Sequence, residues 1–154
     1  MGNCRAWNRA DGSVSQASRC SRSRSYSRAP KSASRGGVGP TAGGNAARGA
    51  KLYETLPCAS CHDISRPWPG GAICPNLGNI ATEAARIVRR PDYHGRAKDA
   101  AGYIRESIVD PNAYIVPGPA YRHADGQSVM PKTFGQTLTP AQLEDLVVFL
   151  LTRR

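Results

Sequence analysis

The chain lacks any apolar run approaching the roughly 18 residues that a membrane-crossing helix needs. It also lacks, near its start, the apolar stretch of about 7–15 residues that a secretory leader would carry. No segment alternates convincingly between apolar and polar residues, so a sheet-based fold is not expected. Hydrophobic residues make up 40% of the 154 and mean hydropathy is −0.46, so the whole chain cannot be core. Acidic residues are scarce, 11 against 21 Lys and Arg, and the formal charge is +10. Five cysteines is an odd number, so at least one thiol stands outside a simple disulfide set. A charge this large invites a nucleic-acid or anionic-surface reading, which depends on where the charge lies.

Residues 1–44 hold eight basic groups against Asp11 alone, a net of +7; residues 45–154 hold 13 basic and 10 acidic groups, a net of +3. The first segment has nine serines from Ser13 to Ser34, and its large apolar residues are only Trp7, Val14, Tyr26 and Val38. Such a stretch cannot bury enough apolar area to offset its ordering entropy, so a solvated tail is expected, ending in a Gly-rich linker from Gly36 to Gly44. The start Met1-Gly2-Asn3-Cys4 is like a myristoylation site, but Ala6 stands where Ser or Thr is needed. The Ser/Arg-rich composition is like an organellar transit peptide without its amphipathic stripe. The run Ser21-Arg22-Ser23-Arg24-Ser25 could contact nucleic acid, but a solvated tail is the preferred expectation, with a tail lying on a protein partner as a further hypothesis. The organisation expected is a tail over 1–44 and one domain over 45–154.

Chemistry concentrates at Cys58-Ala59-Ser60-Cys61-His62. This C-x-x-C-H pattern reads as a c-type haem attachment site: two thiols three apart add to the two vinyl groups of one haem, and the next histidine serves as proximal ligand. A thioredoxin-like redox pair would follow a strand in a βαβ unit, whereas Pro57 and a helical segment precede Cys58 here. A zinc site needs four ligands at short paired spacings, whereas Cys74, His94 and His123 are scattered. A structural disulfide is the remaining rival.

A histidine-ligated haem needs a sixth ligand or an open position. Met130 is the only methionine besides Met1, and it lies 68 residues after His62 in a stretch that Pro131 and Gly135 mark as loop. It is the candidate sixth ligand; His94 and His123 are rivals, in polar stretches where exposure is the ordinary reading. A proximal histidine usually donates its other ring N–H to a carbonyl or carboxylate, and Pro75, which has no N–H of its own, is the candidate to supply that carbonyl.

Helices are expected over Asn45–Leu56 (stopped by Pro57), Ala81–Val88 (stopped by Pro91) and Ala100–Val109 (stopped by Pro111). A last helix should start after Thr139, with Pro140 at its first position and Gln142 completing a capping box. Its apolar face is Leu143, Leu146, Val147, Leu150 and Leu151, and Arg153 and Arg154 suit the negative end of its dipole. The domain is therefore expected to be all-α. It has few large apolar residues for its size, so a buried haem would complete the core and couple folding to haem binding.

Residues 45–154 resemble the class I, monohaem c-type cytochromes of bacterial type. Gly49-Ala50-Lys51-Leu52-Tyr53 resembles the first helix of that family, and Asp145-Leu146-Val147-Val148-Phe149-Leu150 its last, with Phe149 packing on Gly49. Cys74-Pro75-Asn76-Leu77 resembles the family's Gly-Pro-Asn-Leu, whose proline carbonyl accepts from the proximal histidine; Cys74 departs from the usual glycine. The segments Tyr103–Ile108 and Pro111–Gly118, with Met130-Pro131, resemble the bacterial branch, whereas Pro119–Gln127 adds residues before the methionine loop. The resemblance implies about four helices around one haem c, bonded through Cys58 and Cys61 and ligated by His62 and Met130. It implies an electron carrier rather than an enzyme, working with redox protein partners.

A subunit or docked partner of a membrane respiratory or photosynthetic complex is the favoured setting, by similarity to monohaem subunits of quinol-oxidising complexes such as alternative complex III. A free periplasmic shuttle is the second reading, and a haem enzyme with an open distal position the third. The resemblance places the protein on the periplasmic side of a bacterial membrane, peripheral or lipid-anchored, and no nucleic acid among its partners.

Overall fold

Prolines and polar caps divide the chain into its elements. In the computed structural model residues 43–154 are described; the expectations of a tail and glycine linker lie outside the described residues except for Gly43 and Gly44. Six helices follow in order: α1 Ala46–Thr55, α2 Cys58–Cys61, α3 Ile80–Ile87, α4 Ala100–Val109, α5 Phe134–Thr137 and α6 Pro140–Leu151. There is no strand among the described residues, only an isolated bridge between Arg122 and Ser128. The domain is all-α.

Three of the four longer helices, α1, α4 and α6, begin where a side chain satisfies a free backbone N–H. Asn45 accepts from Arg48 N–H (2.9 Å) at α1, and Asp99 accepts from Gly102 N–H (2.7 Å) at α4. Thr139 and Gln142 form the expected capping box at α6, with Pro140 in its first turn. The helix expected over Ala81–Val88 begins one residue earlier, at Ile80, and ends one earlier, at Ile87.

Two four-residue helices were not expected. One is the attachment motif itself, α2. The other, α5, contains Gly135, which the sequence reading had placed in a loop. Two observations account for α5: Phe134 is buried, and Gly135 lies so close to the end of α4 that a Cβ there would meet the Val109 carbonyl at 2.9 Å.

The frame is set where α1 crosses α6. Gly49 is buried, and a Cβ there would fall on the Asp145 carbonyl and 2.6 Å from Phe149 Cβ. With no side chain at Gly49 the helices approach closely, and Tyr53 packs its ring 5.7 Å from that of Phe149. Beside the crossing Asp145, 4% exposed, accepts from Asn45 N–H (2.6 Å) and from Arg48 Nε (2.7 Å) and Nη2 (2.8 Å). Arg105 of α4 reaches Glu144 of α6 through two bonds (2.7 and 2.8 Å).

Arg153 lies 4.5 Å over the Phe149 ring, and its carbonyl accepts from Ala81 N–H (2.8 Å), so the end of α6 is docked onto the start of α3. The buried set Ile80, Ala84, Ile87, Ile104, Leu146 and Val147 fills the space among α3, α4 and α6.

A methyl group at Gly49 has no space to enter. Gly49→Ala is expected to lower the unfolding free energy by about 1–3 kcal/mol, as overpacked cores do, measured by urea unfolding. Asp145 is held below the usual carboxylate range, chiefly by Arg48, with the Asn45 N–H assisting. A depressed carboxylate stabilises the fold above its unfolded value and loses that contribution as pH falls through its folded value. The stability advantage of the wild type over Asp145→Asn should therefore hold near neutrality and shrink below about pH 4 in urea titrations at a series of pH values.

Candidate functional site

Pro57 ends the path from α1, and α2 follows as a single turn: Ser60 Oγ donates to the Pro57 carbonyl (2.6 Å) and His62 N–H to the Cys58 carbonyl (2.9 Å). Residues three apart on a helical turn are neighbours on one face, which is how Cys58 and Cys61 come to stand side by side. His62 follows in extended backbone, and Tyr53 of α1 donates its hydroxyl to the His62 carbonyl. The α1–α6 crossing therefore reaches the site through Tyr53.

The return loop is held by bonds of its own backbone and by an asparagine side chain. Leu77 N–H donates to the Asp63 carbonyl and Gly78 N–H to the Arg66 carbonyl, both at 2.8 Å, and Trp68 N–H donates to Asn79 Oδ1 at 2.6 Å. This fixes Pro75, whose carbonyl lies 2.7 Å from His62 Nδ1. A carbonyl can only accept, so Nδ1 carries the proton and Nε2 is the nitrogen left free to bind a metal. Burial pushes His62 below the ordinary histidine range, with the Pro75 carbonyl pulling the other way.

His62 borders an open cleft whose walls are mostly apolar, among them Trp68, Leu77, Ile104, Ile108 and Val116. Met130 borders the same cleft. Its N–H donates to Ser128 Oγ (3.2 Å), and Ser128 N–H donates to Asn112 Oδ1 (2.8 Å). A second, smaller space shares His62, Ile108 and Met130 with the first and adds Cys58 and Phe134. Cys58 is half-buried, Cys61 is exposed, and Cys74 is buried on the cleft wall.

Of the residues singled out in the sequence, Cys58, His62, Pro75 and Met130 border one or other of these spaces, and Cys61 stands on the same helical turn as Cys58. His94 and His123 are exposed and border neither; His94 stacks edge-on against Tyr114. The donor set fits an iron porphyrin: one imidazole nitrogen and one thioether sulfur on the walls of an apolar slot, with two thiols a helical turn apart at its edge.

The family model for cytochrome c matches residues 46–154. The chain belongs to the cytochrome c family. Members carry haem c bonded through cysteines, transfer electrons and work with redox partners; here Cys58 and Cys61 supply the thiols. Neither a curated protein nor a solved structure matches the chain. No helix among the described residues is long and apolar enough to cross a membrane.

Several residues that shape this cytochrome site had no signal in the sequence. Tyr53 reads as an ordinary apolar helix position, and nothing marks its hydroxyl as the partner of the His62 carbonyl. Asn112 and Asn79 each fix a loop through a side-chain oxygen, a role that any loop asparagine could have.

Cys74 sits where a thiolate is disfavoured: burial first, then its contact with Cys61, pushes its pKa up to about 12. In the folded protein at pH 8, iodoacetamide should leave Cys74 unmodified, and modification should appear only on unfolding. Peptide mass spectrometry after each treatment checks this; ready alkylation of Cys74 in the folded state would contradict it.

Proposed function

We propose that this cytochrome is a one-haem, one-electron carrier in which His62 and Met130 would be the two protein ligands of the iron. The observation that carries the reading is the placing of His62, its Nδ1 committed to the Pro75 carbonyl, and of Met130 on the same apolar cleft. The haem supplies the Fe(III)/Fe(II) couple. Cys58 and Cys61 tether it by thioether bonds. Pro75 fixes the ring orientation of His62 and keeps Nε2 unprotonated and directed to the metal. Met130 fills the remaining position, and the apolar lining excludes water, which limits reorganisation when the charge changes. No arginine and no second histidine borders the cleft among the described residues, which supports a carrier over a peroxide- or gas-handling enzyme.

The domain, residues 45–154, works in this reading as a subunit or docked partner of a membrane respiratory or photosynthetic complex, on the extracytoplasmic face. Two features support it. Its charge is only +3, reduced to about +1 by two ionised propionates, so long-range steering of a freely diffusing shuttle would be weak. Ile73, on the rim of the cleft, is 60% exposed, which suits a small apolar contact beside the haem. The basic tail, residues 1–44, would lie on the partner.

A pyridine haemochrome assay should give one haem c per chain, and the oxidised protein should show a methionine–iron charge-transfer band. Met130→Ala should abolish that band and let the reduced protein bind carbon monoxide readily, where the wild type binds it poorly. A band that survives in Met130→Ala, or rapid tight carbon monoxide binding by the wild type, would sink the assignment.

A further inference from the structure

The segment Pro119–Gln127 folds back on itself just before Met130. His123 N–H donates to the Gln127 carbonyl (2.8 Å) and Val129 N–H to the Tyr121 carbonyl (3.2 Å), with Gly126 in the left-handed region at φ +80°. Arg122 steadies the fold-back by donating to the Gly126 and Ile115 carbonyls, both at 3.2 Å. Tyr121 is 4% exposed and borders the cleft. Its ring lies against Gly118, where a Cβ would have no room. Its hydroxyl is 3.0 Å from the Pro69 and Gly70 carbonyls and 3.3 Å from that of Gly71.

These bonds connect two loops. The Pro69 and Gly70 carbonyls also accept from Asn76 N–H, both at 3.1 Å, and Asn76 follows Pro75, the acceptor for His62. The Tyr121 carbonyl holds Val129, the residue before Met130. A continuous run of hydrogen bonds and peptide links therefore passes from the acceptor of the histidine, through Tyr121, to the methionine. The hydroxyl is the only side-chain link in that run. Without it the fold-back keeps its own bonds but loses its hold on the opposite loop.

We propose that Tyr121 is a positioning residue that ties the histidine-side loop to the methionine-side loop, and that its hydroxyl governs how readily Met130 yields its place on iron to an external ligand. The inference rests on the reading of His62 and Met130 as the axial pair. Tyr121→Phe keeps the ring on Gly118 and removes only the link.

The test uses the full-length, haem-loaded, oxidised protein titrated with imidazole, followed by loss of the methionine–iron band. Tyr121→Phe should raise the apparent affinity for imidazole roughly 2–10-fold, the worth of one hydrogen bond. Thr139→Ala, which uncaps α6 away from the cleft, serves as the control for general destabilisation and should leave that affinity unchanged. An unchanged affinity in Tyr121→Phe with the band intact overturns the inference, as does an equal rise in both variants. A wild-type protein without the band overturns the axial reading itself, and this inference with it.

Discussion

The close approach of α1 and α6 at Gly49 is the constraint from which the rest of the domain follows. Only a residue without a side chain lets the two helices come near enough for Tyr53 to reach both Phe149 and the His62 carbonyl. The ion pair of Asp145 with Arg48 fixes the rotation of the two helices at that crossing. Through Tyr53 the crossing sets the position of the attachment turn, and through the Arg153 carbonyl it docks the end of α6 on α3. The frame is thus made by the two ends of the described residues, which are far apart in sequence, while most of the residues that line the cleft lie between them.

Within that frame the two sides of the cleft are built differently. The histidine side is short-range: a helical turn, a loop held by its own backbone and an asparagine, and one carbonyl aimed at one ring nitrogen. The methionine side is a long irregular stretch fixed by side chains of its own, Asn112 under Ser128 and Tyr121 across to Pro69–Gly71. Met130 therefore lies on a loop tied to the histidine side through one hydroxyl, and that tie can be altered without touching the Pro75 carbonyl that holds His62. Burial pushes His62 below the ordinary histidine range, the direction that favours the neutral ring a metal ligand needs.

Much of this was legible in the sequence because the signals are local. C-x-x-C-H carries its chemistry in five consecutive residues, and the prolines at 57 and 111 and the caps at 45 and 139 mark helix ends through short-range sterics and hydrogen bonds. The short helices α2 and α5 escaped because a single turn has no periodicity to read; α5 exists because Phe134 is buried and Gly135 fits against α4, which is a tertiary fact. The tyrosine hydroxyls escaped for the same reason. An aromatic residue reads as core, and Tyr53 and Tyr121 are core, but the partner of each hydroxyl is a backbone carbonyl whose position only the fold supplies. The neighbouring thiols of Cys61 and Cys74, 13 residues apart in the chain, are likewise a product of the return loop.

A haem held in this cleft through Cys58 and Cys61 would be part of the core and not an addition to a finished one. The direct measurement is urea unfolding followed by far-ultraviolet circular dichroism. It compares the full chain carrying covalent haem with the Cys58→Ala/Cys61→Ala variant prepared without haem. The first should unfold in a cooperative transition, and the second should show reduced helix content with no cooperative transition. A haem-free variant that unfolds cooperatively, with the same helix content and the same midpoint, would contradict it.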